Sequence, residues 1–163
     1  MRILLAVDRS EYSARVVEWV ASHGWPAGTE AQVLSVIEEE GTPMSAASGT
    51  SGATDEPGRQ RLRRTADELT TRFANWLCSS GLTASGKTLR GDPSSVILDE
   101  ARAWDSDLIL VGSRGETDLK NPLLGSVARH VVTQAPCSVF VVRHRIQSAN
   151  TNPEANQVRT NSA

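Results

Sequence analysis

The chain has 163 residues, with 17 Lys plus Arg against 19 Asp plus Glu and a formal net charge of −2. Its 39% hydrophobic and 22% charged residues suit one globular domain that buries about two thirds of its surface, and exclude collagen-like, wholly disordered and purely coiled-coil chains. The charge gives no overall pull on a phosphate backbone, no apolar run nears the roughly 20 residues of a membrane helix, and Cys78 and Cys137 make no disulfide scaffold; the expectation is a cytoplasmic protein with no nucleic-acid or membrane partner.

Arg2 to Val7 (R-I-L-L-A-V) is a continuous apolar run, as in a strand covered on both faces of a parallel sheet. With the charged Asp8 and Arg9 close behind, no secretory segment is expected here. From Glu11 the period becomes helical, with Val16, Val20 and His23 as one stripe widened by Ser13, Val17 and Ala21. Ser10 is the expected cap, and Gly24 and Pro26 the stop. Ala31 to Ile37 is a second strand. Periodicity then vanishes, and a flexible insertion over 38–58, either plain loop or lid, is expected.

Leu62, Ala66, Leu69, Phe73, Trp76 and Leu77 recur at offsets of four and three, the clearest helix in the chain, ended by Gly81. Its opening arginines, Arg59, Arg61, Arg63 and Arg64, read as a solvated face, because Asp67 and Glu68 follow within helical reach and no aromatic residues interleave. Leu82 to Leu89 is a weaker strand. Asp92 as cap with Pro93 at the first helical position opens a helix that turns Val96, Ile97, Ala101 and Trp104 inward.

Asp107 to Gly112 is a fourth strand. Ser126 is expected to cap a helix burying Val127, Val131 and Val132, with Pro136 as its stop, and Ser138 to Val142 is the last strand. His144 to Ala163 is polar and reads as a disordered tail, leaving 1–143 as the domain. This alternation predicts a three-layer α/β/α sandwich around a mostly parallel sheet, with ligands bound beyond the strand ends where strand order reverses.

The unusual residues fall in those turns. Gly112-Ser113-Arg114-Gly115 follows the fourth strand, and Gly125-Ser126 opens the next helix. Converging amides, glycines free of a Cβ and able to take positive φ, and a helix N-terminus are what a phosphate requires; glycine also marks ordinary tight turns. Arg114 and Lys120 are the available cations, with nothing in the spacing to say which points inward. Asp8, ending the first strand, suits ribose hydroxyls or a base amine, or else serves as a turn acceptor for the next helix. The backbone of Val36 is placed to meet the edge of a base, while its side chain is equally plain core. No G-x-x-x-x-G-K-[ST] and no G-x-G-x-x-G is present.

Gly112-x2-Gly115-x9-Gly125-Ser126, between D-L-I-L-V and V-A-R-H-V-V-T-Q-A-P-C-S-V-F-V-V-R, resembles the nucleotide-binding signature of the universal stress protein family. The opening I-L-L-A-V-D-R-S-E, the strand A-Q-V-L-S-V-I and the G-D-P before the third helix also fit, so the resemblance runs from Met1 to Arg143 apart from the insertion. It implies the adenine nucleotide α-hydrolase-like fold, with a five-stranded parallel sheet in the order 3-2-1-4-5. It also implies an ATP site using Asp8 near ribose and adenine, the backbone of Val36 for adenine, and Gly112, Gly115, Gly125 and Ser126 around the phosphates. A homodimer through the last strand (138–142) belongs to the same resemblance. The apolar edge of that strand independently needs a cover, from a second copy, the insertion, the tail or another partner.

Four positions depart from the family pattern: Glu116, Asp118, Asn121 and Pro122 stand where basic or small residues are common, which lowers the expected affinity for a triphosphate. ATP is the expected ligand, with Mg²⁺ as a companion carried largely by phosphates and water. No base for an attacking water is evident, so no catalytic residue is assigned and any hydrolysis is expected to be slow. The rival reading is a dimeric interaction scaffold that has lost triphosphate binding. His23, His130 and His144 are too dispersed for a metal site, Cys78 and Cys137 read as small buried hydrophobes, and Trp19, Trp25, Trp76 and Trp104 as core or dimer-seam residues.

Overall fold

The computed structural model describes residues 1–38, 56–115 and 124–143. Five strands, β1 (Arg2–Val7), β2 (Glu30–Ile37), β3 (Thr83–Arg90), β4 (Leu108–Gly112) and β5 (Ser138–Val142), form one sheet in the order β3-β2-β1-β4-β5, every pair parallel. Four helices, α1 (Glu11–Ser22), α2 (Glu56–Ser79), α3 (Pro93–Ala103) and α4 (Ser126–Gln134), alternate with them.

The side-chain alternation of the central strands divides the core. Ile3, Leu5, Val33 and Leu110 meet Val16, Val17 and Val20 of α1 and Leu69, Phe73 and Leu77 of α2. Leu4, Leu34, Ile109 and Val111 meet Ile97 and Ala101 of α3 and Ala128 and Val131 of α4. Strands buried on both faces have no polar side to show, which is why β1 and β4 read as unbroken apolar runs. At the β3 edge α2 approaches so closely that a Cβ on Gly86 would lie 2.9 Å from the backbone carbon of Thr70.

Several expectations need correction. Helix α2 opens at Glu56, so 56–58 are helical; Pro57 sits in the first turn, where its missing N–H costs nothing. The rest of the insertion, 39–55, and the tail, 144–163, lie outside the described residues. Helix α1 ends at Ser22, leaving His23 exposed at its C-cap, where its ring stacks on Trp19 at 3.7 Å between centroids. Cys78 is exposed and Cys137 half-buried. Trp19, Trp25 and Trp104 are half-buried and pack against the core as expected, whereas Trp76 is 41% exposed. Helix α3 buries Leu98 and Glu100 beside Ile97 and Ala101, whereas Val96 is only partly covered. On α4, Val132 is 48% exposed and Val127 half-buried. The arginine-rich start of α2 is solvated as expected, with Arg63 facing Asp67 at 3.9 Å and Arg64 facing Glu68 at 3.0 Å.

Candidate functional site

The strand order reverses between β1 and β4, and in open α/β sheets the ligand crevice lies beyond the carboxyl ends at such a point. Val7 pairs with Ser35 and Ala6 with Val111, so Asp8 and Ser113, just past the ends of β1 and β4, lie in the same row as Val36 near the end of β2. The sequence-predicted residues therefore share one end of the sheet. Their detailed contacts differ from what spacing alone suggests.

Asp8 is partly buried. Its Oδ1 accepts from the Ser10 N–H at 3.0 Å, from the Ser10 hydroxyl, and from the Ser13 hydroxyl at 2.6 Å. The turn-acceptor alternative is thus realised on this oxygen. Ser10 stands at the N-cap position of α1, yet its side chain makes no capping hydrogen bond to the helix. The other oxygen faces the end of β4: a Cβ built on Gly115 would come within 3.1 Å of Asp8 Oδ2. A side chain there would press on the carboxylate, which would have to shift by a few tenths of an ångström. Positive φ plays no part, since none of Gly112, Gly115 and Gly125 adopts it. At Gly112, a Cβ would meet the Arg114 carbonyl oxygen at 3.1 Å and the Tyr12 Cβ at 3.2 Å, so β4 and α1 touch through its missing side chain.

Tyr12 and Arg114 bridge the same gap. Arg114 donates from Nη1 to the Tyr12 hydroxyl at 3.4 Å, joining the segment after β4 to α1. Lys120, the other candidate cation, lies outside the described residues, as do Glu116, Asp118, Asn121 and Pro122.

Two amides expected to face an anion are already used. The Ser113 N–H donates to the Val142 carbonyl at 2.9 Å, and the Gly125 N–H to the Ser113 carbonyl at 2.9 Å. These bonds tie the start of α4 to the end of β4. Gly125, not Ser126, is the N-cap of α4, and Ser126 is its exposed first residue. The first helical bond runs from the Arg129 N–H to the Gly125 carbonyl, so the Val127 and Ala128 amides precede the ladder and contribute the positive end of the helix dipole. Val36, half-buried, packs on the α3/α4 side of the sheet.

Sequence reasoning placed Ser13 in the core stripe of α1 and missed its bond to Asp8. The available signal was the spacing Asp8-x-Ser10-x-x-Ser13, which sets two hydroxyls within one turn of a strand-end carboxylate. Tyr12 carried no comparable signal, because its partner is 102 positions away. A separate groove of about 1100 Å³ follows the outer face of α2 past Arg61, Arg64, Glu68 and Arg72, and contains none of the predicted site residues.

Known proteins repeat this frame. The universal stress protein Sll1388 of Synechocystis sp. is 29% identical over 150 residues, covering 88% of this chain and 97% of its own. Among solved structures, the hypothetical protein MJ0577 superposes with a TM-score of 0.77 at 25% identity, over 89% of this chain and 96% of its own. A universal stress protein family protein from Arabidopsis thaliana, At3g01520, solved with AMP bound, gives 0.59 at 18% identity, over 94% and 98%. The five-stranded order 3-2-1-4-5 is that of the adenine nucleotide α-hydrolase-like fold these neighbours share. The sequence profile of the universal stress protein family spans residues 1–143, every described element included, and by that match the chain belongs to this family.

Proposed function

We propose that the crevice between the ends of β1 and β4 binds an adenine nucleotide, with ATP as the preferred ligand, and that the protein acts as a cytoplasmic stress-response module with at most slow hydrolysis. The observation that carries this reading is the approach of Gly115 to Asp8 Oδ2, which leaves a carboxylate facing a glycine at the strand-order reversal. Asp8 takes the ribose side, and the backbone of Val36 meets the adenine edge. Gly112, Gly115, Gly125 and Ser126 border the phosphates at the positive end of α4, with Arg114 beside them. AMP in the Arabidopsis neighbour supports the ligand class.

Among the described residues no three of His, Cys, Asp and Glu gather into a metal cage. In this reading Mg²⁺ is carried largely by phosphates and water, and its contribution is read by titrating ATP with and without EDTA. Calorimetry on nucleotide-stripped protein, with mass analysis of whatever nucleotide copurifies, tests the reading itself; no binding of ATP, ADP or AMP would sink it. The scaffold alternative draws on the Ser113 and Gly125 amides, which are spent on carbonyls. Tight binding of ATP by the wild type counts against it.

The folding unit in this reading is 1–143, and it pairs as a homodimer through β5. The two sheet edges differ in a way that supports this. Strand β3 (T-A-S-G-K-T-L-R) is broken by Gly86 and carries Lys87 and Arg90, whereas β5 (S-V-F-V-V) is apolar, with Phe140 39% exposed and stacked on Trp19 at 4.2 Å between centroids. Light scattering on Phe140→Asp gives monomer in this reading; an unchanged mass excludes the β5 seam.

A further inference from the structure

We propose that Ser13 is the positioning residue of the crevice, setting the Asp8 carboxylate for the ribose hydroxyls; this rests on the nucleotide reading above. Ser13 is 4% exposed, on the face of α1 that otherwise buries Val16, Val17 and Val20. A hydroxyl taken out of water at such a place costs free energy unless it is bonded. Both of its long-range bonds go to one residue: Ser13 Oγ accepts the Asp8 N–H at 2.7 Å and donates to Asp8 Oδ1 at 2.6 Å.

One hydroxyl thus fixes the backbone and the side chain of residue 8 together. The Ser10 N–H and hydroxyl donate to the same oxygen. Were these serines ordinary helix caps, the Ser10 oxygen would accept from a helix amide, and it does not. The three donors hold the carboxylate in one rotamer with Oδ2 turned toward Gly115. A carboxylate without them exchanges among staggered rotamers, and a ligand then bears the cost of ordering it. The consequence for the ligand is selective: preorganisation serves the part of the nucleotide that meets Asp8, the sugar hydroxyls, and leaves base and phosphate contacts alone.

Ser13→Ala tests this with two readings. In ligand-free protein, three-bond couplings to the Asp8 Cγ report a single χ1 rotamer in the wild type and an averaged one in the variant. In calorimetry, ATP affinity falls about tenfold, the scale of one lost hydrogen bond to a charged group, and the preference for ATP over 2′,3′-dideoxy-ATP shrinks toward one. A merely loosened fold weakens both ligands in proportion and leaves that preference intact. A single Asp8 rotamer in Ser13→Ala, or an undiminished preference, overturns the inference while the nucleotide reading stands. Wild-type protein that binds neither nucleotide overturns the reading and this inference with it.

Discussion

Two carboxylates show how differently this fold spends negative charge. Glu100, buried on α3, receives the Lys87 ammonium of β3 on both oxygens, at 2.8 and 2.7 Å. Asp8 is held on one oxygen by neutral donors from its own turn, and its other oxygen faces a glycine. A group clamped by an opposite charge on both oxygens has nothing left to present, so Glu100 belongs to the architecture, where it fastens the polar edge strand to a helix. A group oriented by neutral hydroxyls is aimed rather than neutralised by them, and in the nucleotide reading it is the one that meets a ligand beside Gly115. In the nucleotide reading, the partner's chemistry, rather than burial alone, separates the structural acid from the presenting one.

The sharpest way to break this contrast is to remove the cation from the clamped pair. Lys87→Met leaves Glu100 buried opposite an apolar chain and is expected to cost about 2 kcal/mol of stability, less than a fully buried pair because Lys87 is 41% exposed. Urea unfolding measures it, and the double variant Lys87→Met with Glu100→Leu recovers most of the loss. If the single variant unfolds like the wild type, the clamp is ornamental and the contrast fails.

Gly115→Ala attacks the presenting acid instead. The new Cβ crowds Asp8 Oδ2, and adenine-nucleotide affinity is expected to fall about tenfold, or about 1.4 kcal/mol. Because the position is a half-exposed turn, the urea midpoint moves by less than about 0.5 kcal/mol equivalent. The two substitutions thus separate stability from binding in opposite directions, and a stability loss without an affinity loss would return Asp8 to a turn role.

Asp92 supplies a third acid and a smaller effect. It caps α3, accepting the Ser95 N–H at 2.9 Å and the Ser95 hydroxyl at 2.7 Å. The backbone bond first, then the hydroxyl, hold its carboxyl below the ordinary 3.8. A lowered folded pKa stabilises the fold above the unfolded value, and that contribution is lost as pH falls through the lower folded one. Asp92→Ala is expected to cost about 1 kcal/mol at neutral pH. Asp92→Asn keeps a cap but flattens stability over the acid window below 3.8, as thermal melts across that window report.

What the sequence made legible follows from range. The cap Asp92-Pro93, the parallel strands and their order rest on local pattern or on the family signature, and the structure contains them. Helix α2 begins earlier than its apolar repeat because Glu56-Pro57-Gly58 has no periodicity to read, though Pro57 is well suited to a first turn. His23 matched the stripe of α1 by period but falls just past the helix end, where the chain turns toward Gly24 and Pro26. Glu100 was invisible as a core residue because its licence to be buried comes from a lysine on another element. At the site, the residue types were readable and the donors were not. Which amides an anion meets depends on the Ser113–Val142 and Gly125–Ser113 bonds, and those join segments that spacing does not bring together.

Tyr12 is the chain's sole tyrosine, and it stands where α1, Gly112 and Arg114 meet. A spectrum of isotope-labelled tyrosine ring carbons therefore has one source, and that source sits beside Gly112 and Arg114, next to the proposed nucleotide site. Ligand arrival becomes visible through an unmodified side chain, with no dye to attach and no background from elsewhere in the molecule.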